Sequence, residues 1–182
     1  MVLLGGDAGL RIGEIAGLRV EDVDRDTITI RRTIVVIDGA RIEHPPKTGR
    51  IRRVPATPRL LEVLGRLAAV SDDGWLLHSA RGVAGTPSSL AYRLLEVHAR
   101  AGMTSAGPHM LRHTFASLAL EAGASLEEVR VLLGHASISM TARYLHADAS
   151  SVRGAIGRLA AWNEAARARW ARSGAAKAAR RR

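Results

Sequence analysis

From residue 58 onward the sequence is punctuated by helix starts and stops, and these leave little choice of architecture. "PRLLEVLGRLAAV" begins with Pro58, placed to open a helix. Thr86 followed by Pro87 reads as an N-cap with proline at the first helical position, opening a helix that runs to about Ala101 before Gly102. Pro108 opens the next helix and Gly123 closes it. Ser125 and Glu128 form a capping box in "SLEE", for a helix stopped by Gly134. Ser137 can cap one more, carrying Tyr144.

The front of the chain reads differently. Leu10, Ile12, Ile15, Ala16 and Leu18 give a short helical pattern, and "EDVDRD" follows as a turn. "TITIRRTIVVI" (27–37) is rich in β-branched residues and alternates at its start, as a strand does. "DGARIEHPPKTGRIRRVP" adds an Asp-Gly turn and a second turn at "PPKTG", flanked by short extended stretches. The expected fold is α+β: mostly helical, with a small antiparallel sheet of about three strands near the N-terminus.

At 182 residues and 47% hydrophobic, the chain supports one real core and is short for two full domains. It has no apolar run near the ~18 residues of a membrane span, and no basic region precedes the opening leucines as in a signal peptide. It has no cysteine, which excludes disulfides and thiolate metal sites and fits a cytoplasmic setting. The formal charge is +10, so a polyanionic partner is the natural expectation. Residues 164–182 hold seven basic groups (Arg167, Arg169, Arg172, Lys177, Arg180, Arg181 and Arg182) against Glu164, and so carry +6 of that charge. Much of the basicity is therefore a solvated tail, and charge alone does not establish nucleic acid as the partner.

Several motifs fail on inspection. "DVDRDT" at 22–27 has the opening of a calcium loop, but Thr27 stands where its glycine belongs and Thr33 where its glutamate belongs. The glycines at 5, 6, 9 and 13 match neither a dinucleotide fingerprint nor a P-loop. His109 and His113 are spaced like a zinc pair, but no glutamate follows His109, and Arg112 on the same face would repel a cation. No carboxylate pair is nearby for two-metal chemistry, because Glu127 and Glu128 belong to a helix start. No metal and no cofactor are expected.

What survives is "PHMLRHTFASLALEAGASLEEVRVLLGHASISMTARYLHAD", residues 108–148, which holds four histidines, three arginines and one of the chain's two tyrosines. His109, Arg112 and His113 share a helix face by spacing. On one straight helix, His135 and Tyr144 would lie ~13.5 Å apart; Gly134 and Ser137 break the chain and permit a fold-back. An arginine fork matches a phosphate, histidine donates to its other oxygens, and a tyrosine oxygen can attack. Such a set performs phosphoryl transfer without metal or ATP.

These segments resemble the tyrosine recombinases, or phage integrases. "HMLRHTFASLALEAG" is similar to their H-x-L-R-H box, "LLGH" to their L-G-H box and "TARYLH" to the segment bearing the nucleophile. Upstream, "AGLRIGEIAGL" resembles the box of the first catalytic arginine, and "KTGRIRRVP" the β-hairpin of the catalytic lysine. Of the two G-L-R triplets, Arg11 is the better match, because Glu14 follows at the family's R-x-x-E spacing whereas Arg19 lacks it. The resemblance covers roughly residues 1–150, in five ordered boxes.

The resemblance implies a site-specific recombinase whose Tyr144 attacks a DNA phosphate to give a 3′-phosphotyrosyl link. Arg11 and Arg112 would clamp the non-bridging oxygens, and Lys47 would protonate the leaving 5′-oxygen. His109 would assist proton transfer, and His135 would hydrogen-bond the phosphate. It implies double-stranded DNA as partner, a homotetramer on DNA, and no membrane or small-molecule substrate. Glu14 is expected as an i, i+3 partner of Arg11, and His113 as a structural residue bonded within its helix pair. Trp162 and Trp170 would form one stripe of a terminal helix.

Family members usually carry an N-terminal helical domain that closes a clamp on DNA, whereas Met1 here falls almost at the Arg11 box. The expected organisation is a truncated catalytic domain over 1–150, without the clamp domain, and a helix with a basic tail over 151–182. Two rival readings are kept. "SLEEVRVLLGHASISMTARYL" could be a helix-turn-helix with its recognition helix at 138–146, in a DNA-binding protein without catalysis. A type IB topoisomerase-like relaxer would share the chemistry.

Overall fold

The computed structural model describes residues 1–47, 49–103, 107–134 and 149–179; side chains at 149–152 and 171–179 are outside the description. Its elements run α1 (Val2–Gly6), α2 (Ile12–Ala16), a 3-10 turn (Val20–Asp22), β1 (Thr27–Ile30), β2 (Thr33–Ile37), β3 (Ala40–His44), β4 (Arg52–Pro55), α3 (Pro58–Ala69), α4 (Pro87–Arg100), α5 (Pro108–Glu121), α6 (Leu126–Leu133) and α7 (Ala149–Ala179).

The helix signals are realised with their chemistry. Thr57 and Thr86 accept hydrogen bonds from the amides of Leu60 and Ser89 at the starts of α3 and α4. Ser125 and Glu128 close a reciprocal capping box on α6, and Gly134 ends that helix in the left-handed conformation, φ 59°. Each such cap satisfies amides that the helix itself leaves unpaired, and contributes about 1 kcal/mol. Leu90, Leu94 and His98 form the buried stripe of α4. On α5 the stripe is Arg112, Phe115 and Ala119, so an arginine occupies a position that helical periodicity assigns to the core.

The sheet departs from expectation. Instead of three strands in one sheet there are two antiparallel pairs, β1 with β4 and β2 with β3. The second is a hairpin whose Asp38-Gly39 turn has φ of 49° and 80°, the left-handed pair a two-residue loop requires. The break comes at Arg31-Arg32, in the middle of what reads as one strand. Arg32 donates to Asp22 at 2.5 Å, to Glu21 at 3.1 Å and to the Gly17 carbonyl at 3.1 Å, and Arg31 reaches Asp22 at 3.2 Å. Two arginines drawn onto one buried carboxylate divide the run, and β-propensity does not override that pairing.

One core gathers β1, β2, β4, α1 to α6 and the early turns of α7, whose Ala155, Ile156 and Leu159 are buried. Arg153 pairs with Asp26, and Arg158 with Glu128 at 3.4 Å. The early turns of this C-terminal helix are thus part of the core. Of the two tryptophans on α7, Trp162 is half-buried and Trp170 is exposed.

Gly9, between α1 and α2, has φ 65°. A Cβ there would lie 2.6 Å from the Phe115 ring and 2.8 Å from Leu133. Gly102 has a similar φ, 63°, with nothing within 4 Å of such a Cβ. Gly102→Ala should therefore cost only about 1–2 kcal/mol for the backbone, and Gly9→Ala about 2–4 kcal/mol once overpacking is added. Urea unfolding of the two variants measures the difference; equal losses would show that the packing at Gly9 yields.

Candidate active site

Gly9 and the end of α6 frame the site. At its C-terminus α6 exposes carbonyls that no further turn can pair, and the helix dipole makes that end negative. Two arginines from distant parts of the chain meet there. Arg112 donates through Nη2 to the Leu133 carbonyl at 2.5 Å and through Nη1 to the Gly9 carbonyl. Arg11, at the N-cap of α2, donates through Nη1 to the same Leu133 carbonyl at 3.3 Å and through Nη2 to the Gly134 carbonyl at 3.2 Å.

Glu14 completes the frame. Its carboxylate, 1% exposed, accepts from the Arg11 amide at 2.9 Å, from Arg11 Nη1 at 3.1 Å, and from both Nη atoms of Arg52 at 2.8 Å. Two guanidiniums, those of Arg11 and Arg52, thus grip one carboxylate. A guanidinium has five N–H donors; after these bonds, Arg11 and Arg112 each keep at least two for another acceptor among the described residues.

The electrostatics follow from burial. Desolvation, then the Arg11 charge, lower the Arg112 pKa to about 10, with Glu14 opposing and Arg52 adding to the effect. Arg112 stays cationic near neutrality, held at a cost that an incoming anion would offset. For Glu14, burial favours the neutral form, but the hydrogen bonds and charge of Arg52, with those of Arg11, outweigh it and hold the carboxyl below its ordinary value. The cluster is an excess of positive charge with directed donors, the arrangement that binds a tetrahedral oxyanion.

The other expected site residues are distributed unevenly. Lys47 is exposed in the turn between β3 and β4. His109 is exposed on the first turn of α5, beside the same helix's buried Arg112. His113 is also exposed. His135 and Tyr144 lie outside the described residues. Arg19 has Asp22, not a glutamate, at i+3, and donates its amide to Asp22 at 2.9 Å. Its side chain goes elsewhere, stacking 4.3 Å from the Trp75 ring centroid and pairing with Glu43 at 2.8 Å.

Arg52 is the member that sequence reasoning missed. The available signal was strand alternation: Arg52 lies two residues before buried Val54, on the inward side of β4, while Arg53 is exposed. For metals, Asp72, Asp73 and His78 form the only trio among the described residues with ligand atoms within 4.8 Å of one another. They lie in the α3–α4 loop, and His78 is already bonded to Asp73 at 3.0 Å.

Residues 1–151, which contain the whole arginine cluster, match the model of the phage integrase family. The chain belongs to that family. It is similar to the tyrosine recombinase XerC of Staphylococcus carnosus, 33% identical over 146 residues that cover 80% of this chain and 47% of that protein. It is also similar to XerD of Brucella abortus, 37% identical over 147 residues, covering 76% and 44% respectively. Among solved structures, the Tn1549 transposon integrase in complex with a circular intermediate DNA superposes with a TM-score of 0.64 at 25% identity, over 86% of this chain and 56% of that one. The chain thus spans about half the length of the relatives it matches.

Acid unfolding tests the Glu14 frame of this integrase-family site. A carboxyl whose folded pKa is depressed contributes stability that is complete above its unfolded pKa and lost as pH falls through the folded value. At neutral pH, Glu14→Gln should cost about 3 kcal/mol by leaving buried guanidiniums uncompensated. The gap between wild type and variant in urea titrations should narrow as pH drops below 4.5, the ordinary glutamate value. A gap independent of pH would show that packing, not charge, is what Glu14 supplies.

Proposed function

We propose that this chain is the catalytic part of a site-specific DNA strand transferase, working through a 3′-phosphotyrosyl intermediate without metal or ATP. The observation that carries the reading is the meeting of Arg11 and Arg112 on the Leu133 carbonyl, with donors to spare. In the reaction, Tyr144 Oη forms a bond to the scissile phosphorus while the bond from phosphorus to the 5′-oxygen breaks. The phenolic proton passes to His109, and the Lys47 ammonium gives a proton to the departing 5′-oxygen. Arg11, Arg112 and His135 donate to the non-bridging oxygens, where charge grows in the transition state. The ester conserves the energy of the phosphodiester, so a second strand's 5′-hydroxyl reverses the step and reseals the DNA.

Supporting the partner is the solved complex of the related transposon integrase with DNA, together with a formal charge of +10. Among the described residues no helix is long and apolar enough to cross a membrane, in keeping with work on DNA in the cytoplasm. Assembly as a tetramer on DNA is part of the same proposal. A helix-turn-helix regulator explains the charge, but gives no use to an arginine pair held by buried Glu14.

A pool of nicked duplexes of random sequence tests the reading. Wild type should yield a covalent protein–DNA band that is absent in Tyr144→Phe. Specific binding of one duplex without an adduct would favour the regulator, and relaxation of any supercoiled plasmid would favour a topoisomerase-like activity. Arg112→Lys keeps the charge but loses the fork, so adduct formation should fall by about 10²-fold or more. Near-normal single-turnover rates would show that charge alone suffices.

A further inference from the structure

We infer that Arg52 is a positioning residue that ties the lysine-bearing turn to the arginine pair, a role that rests on the strand-transfer reading above. Three observations converge on it. Both Nη atoms of Arg52 are engaged by the two oxygens of Glu14 at 2.8 Å, so its fork faces a carboxylate and not an incoming phosphate. Its side chain packs against the end of α6: a Cβ at Gly134 would lie 2.9 Å from Arg52 Nε and 3.0 Å from its Cδ and Cζ. That Nε is buried with no hydrogen-bond partner, so the bonds to Glu14 hold one side of the group and packing against Gly134 holds the other.

Arg52 also opens β4, opposite Ile30 in the ladder, immediately after the turn that carries Lys47. One side chain therefore joins the root of that turn to α2, through the carboxylate that aims Arg11, and to the end of α6, whose carbonyls hold Arg11 and Arg112. A general acid must meet its oxygen within hydrogen-bond reach, about 2.6–3.2 Å. An exposed lysine in a turn has that precision only if the turn's base is fixed relative to the clamp. Lysine in place of Arg52 keeps the charge, but it cannot grip both carboxylate oxygens in one plane or lie flat on Gly134.

The consequence is specific to the leaving group. If Arg52 serves the proton donor, its loss should matter when the departing atom needs a proton and not otherwise. Replacing the bridging 5′-oxygen by sulfur gives a thiolate leaving group, whose conjugate acid has a pKa near ~8.5, so it departs without protonation. The bond to phosphorus still forms from Tyr144 and the bond to sulfur breaks, with the electron pair leaving on sulfur.

The experiment uses a nicked duplex that wild type cleaves, made with oxygen or with sulfur at the leaving position, in single turnovers of the full chain. For Arg52→Lys, cleavage of the oxygen substrate should fall about 10–100-fold, as for a misplaced catalytic group. Cleavage of the sulfur substrate should stay within about threefold of wild type, because the acid is no longer needed. Lys47→Ala supplies the reference pattern. Equal losses on both substrates, or none on either, would overturn the inference. If wild type forms no adduct with either substrate, the strand-transfer reading itself fails. The tie is then judged by hydrogen exchange of the free protein: amides of residues 11–16 and 131–134 should exchange several-fold faster in Arg52→Lys, as local opening becomes easier. Unchanged protection would overturn it independently of activity.

Discussion

Everything at this site hangs on the unpaired end of α6. A helix must leave its last carbonyls without partners inside itself, and here the Leu133 and Gly134 carbonyls are answered by guanidiniums from α2 and α5. The bonds solve two problems together. They satisfy acceptors that burial would otherwise penalise, and they fix the planes of two cations that water would otherwise leave free to rotate. Because both arginines use the Leu133 carbonyl, neither can move without disturbing the other.

The same helix is held at its opposite end. Glu128 accepts the Ser125 amide at 2.6 Å within the capping box and also faces Arg158 of α7 at 3.4 Å. α6 is thus gripped by the core-packed part of α7 at its start and by the arginine pair at its finish. Gly134 itself is constrained twice, by its left-handed backbone and by the Arg52 side chain lying against it.

Positive charge is concentrated here in a way that a purely structural core would avoid. Arg11 and Arg52 share one buried carboxylate, and Arg112 beside them is buried against backbone carbonyls, which lowers its pKa to about 10. Glu14 offsets part of that charge and orients Arg11 and Arg52. The two-ladder arrangement contributes as well: the division at Arg31-Arg32 leaves β4 paired with β1 in the core, so Arg52 enters from a buried strand rather than from a free hairpin.

The sequence by itself determined the punctuation of the helices, because proline, capping hydroxyls and glycine act through their own local backbone: α3, α4, α5 and α6 begin where those residues put them, and α4, α5 and α6 stop within two residues of Gly102, Gly123 and Gly134. It also determined the pairing of Arg11 with Glu14, which is three residues of local geometry. Only the tertiary structure decided that a β-rich run would divide at Arg31-Arg32, because the acid that divides it, Asp22, lies outside that run. The same holds for Arg52. Its partner Glu14 is 38 residues away, and a buried charge finds its counter-charge through the packing of whole elements, which no local pattern encodes.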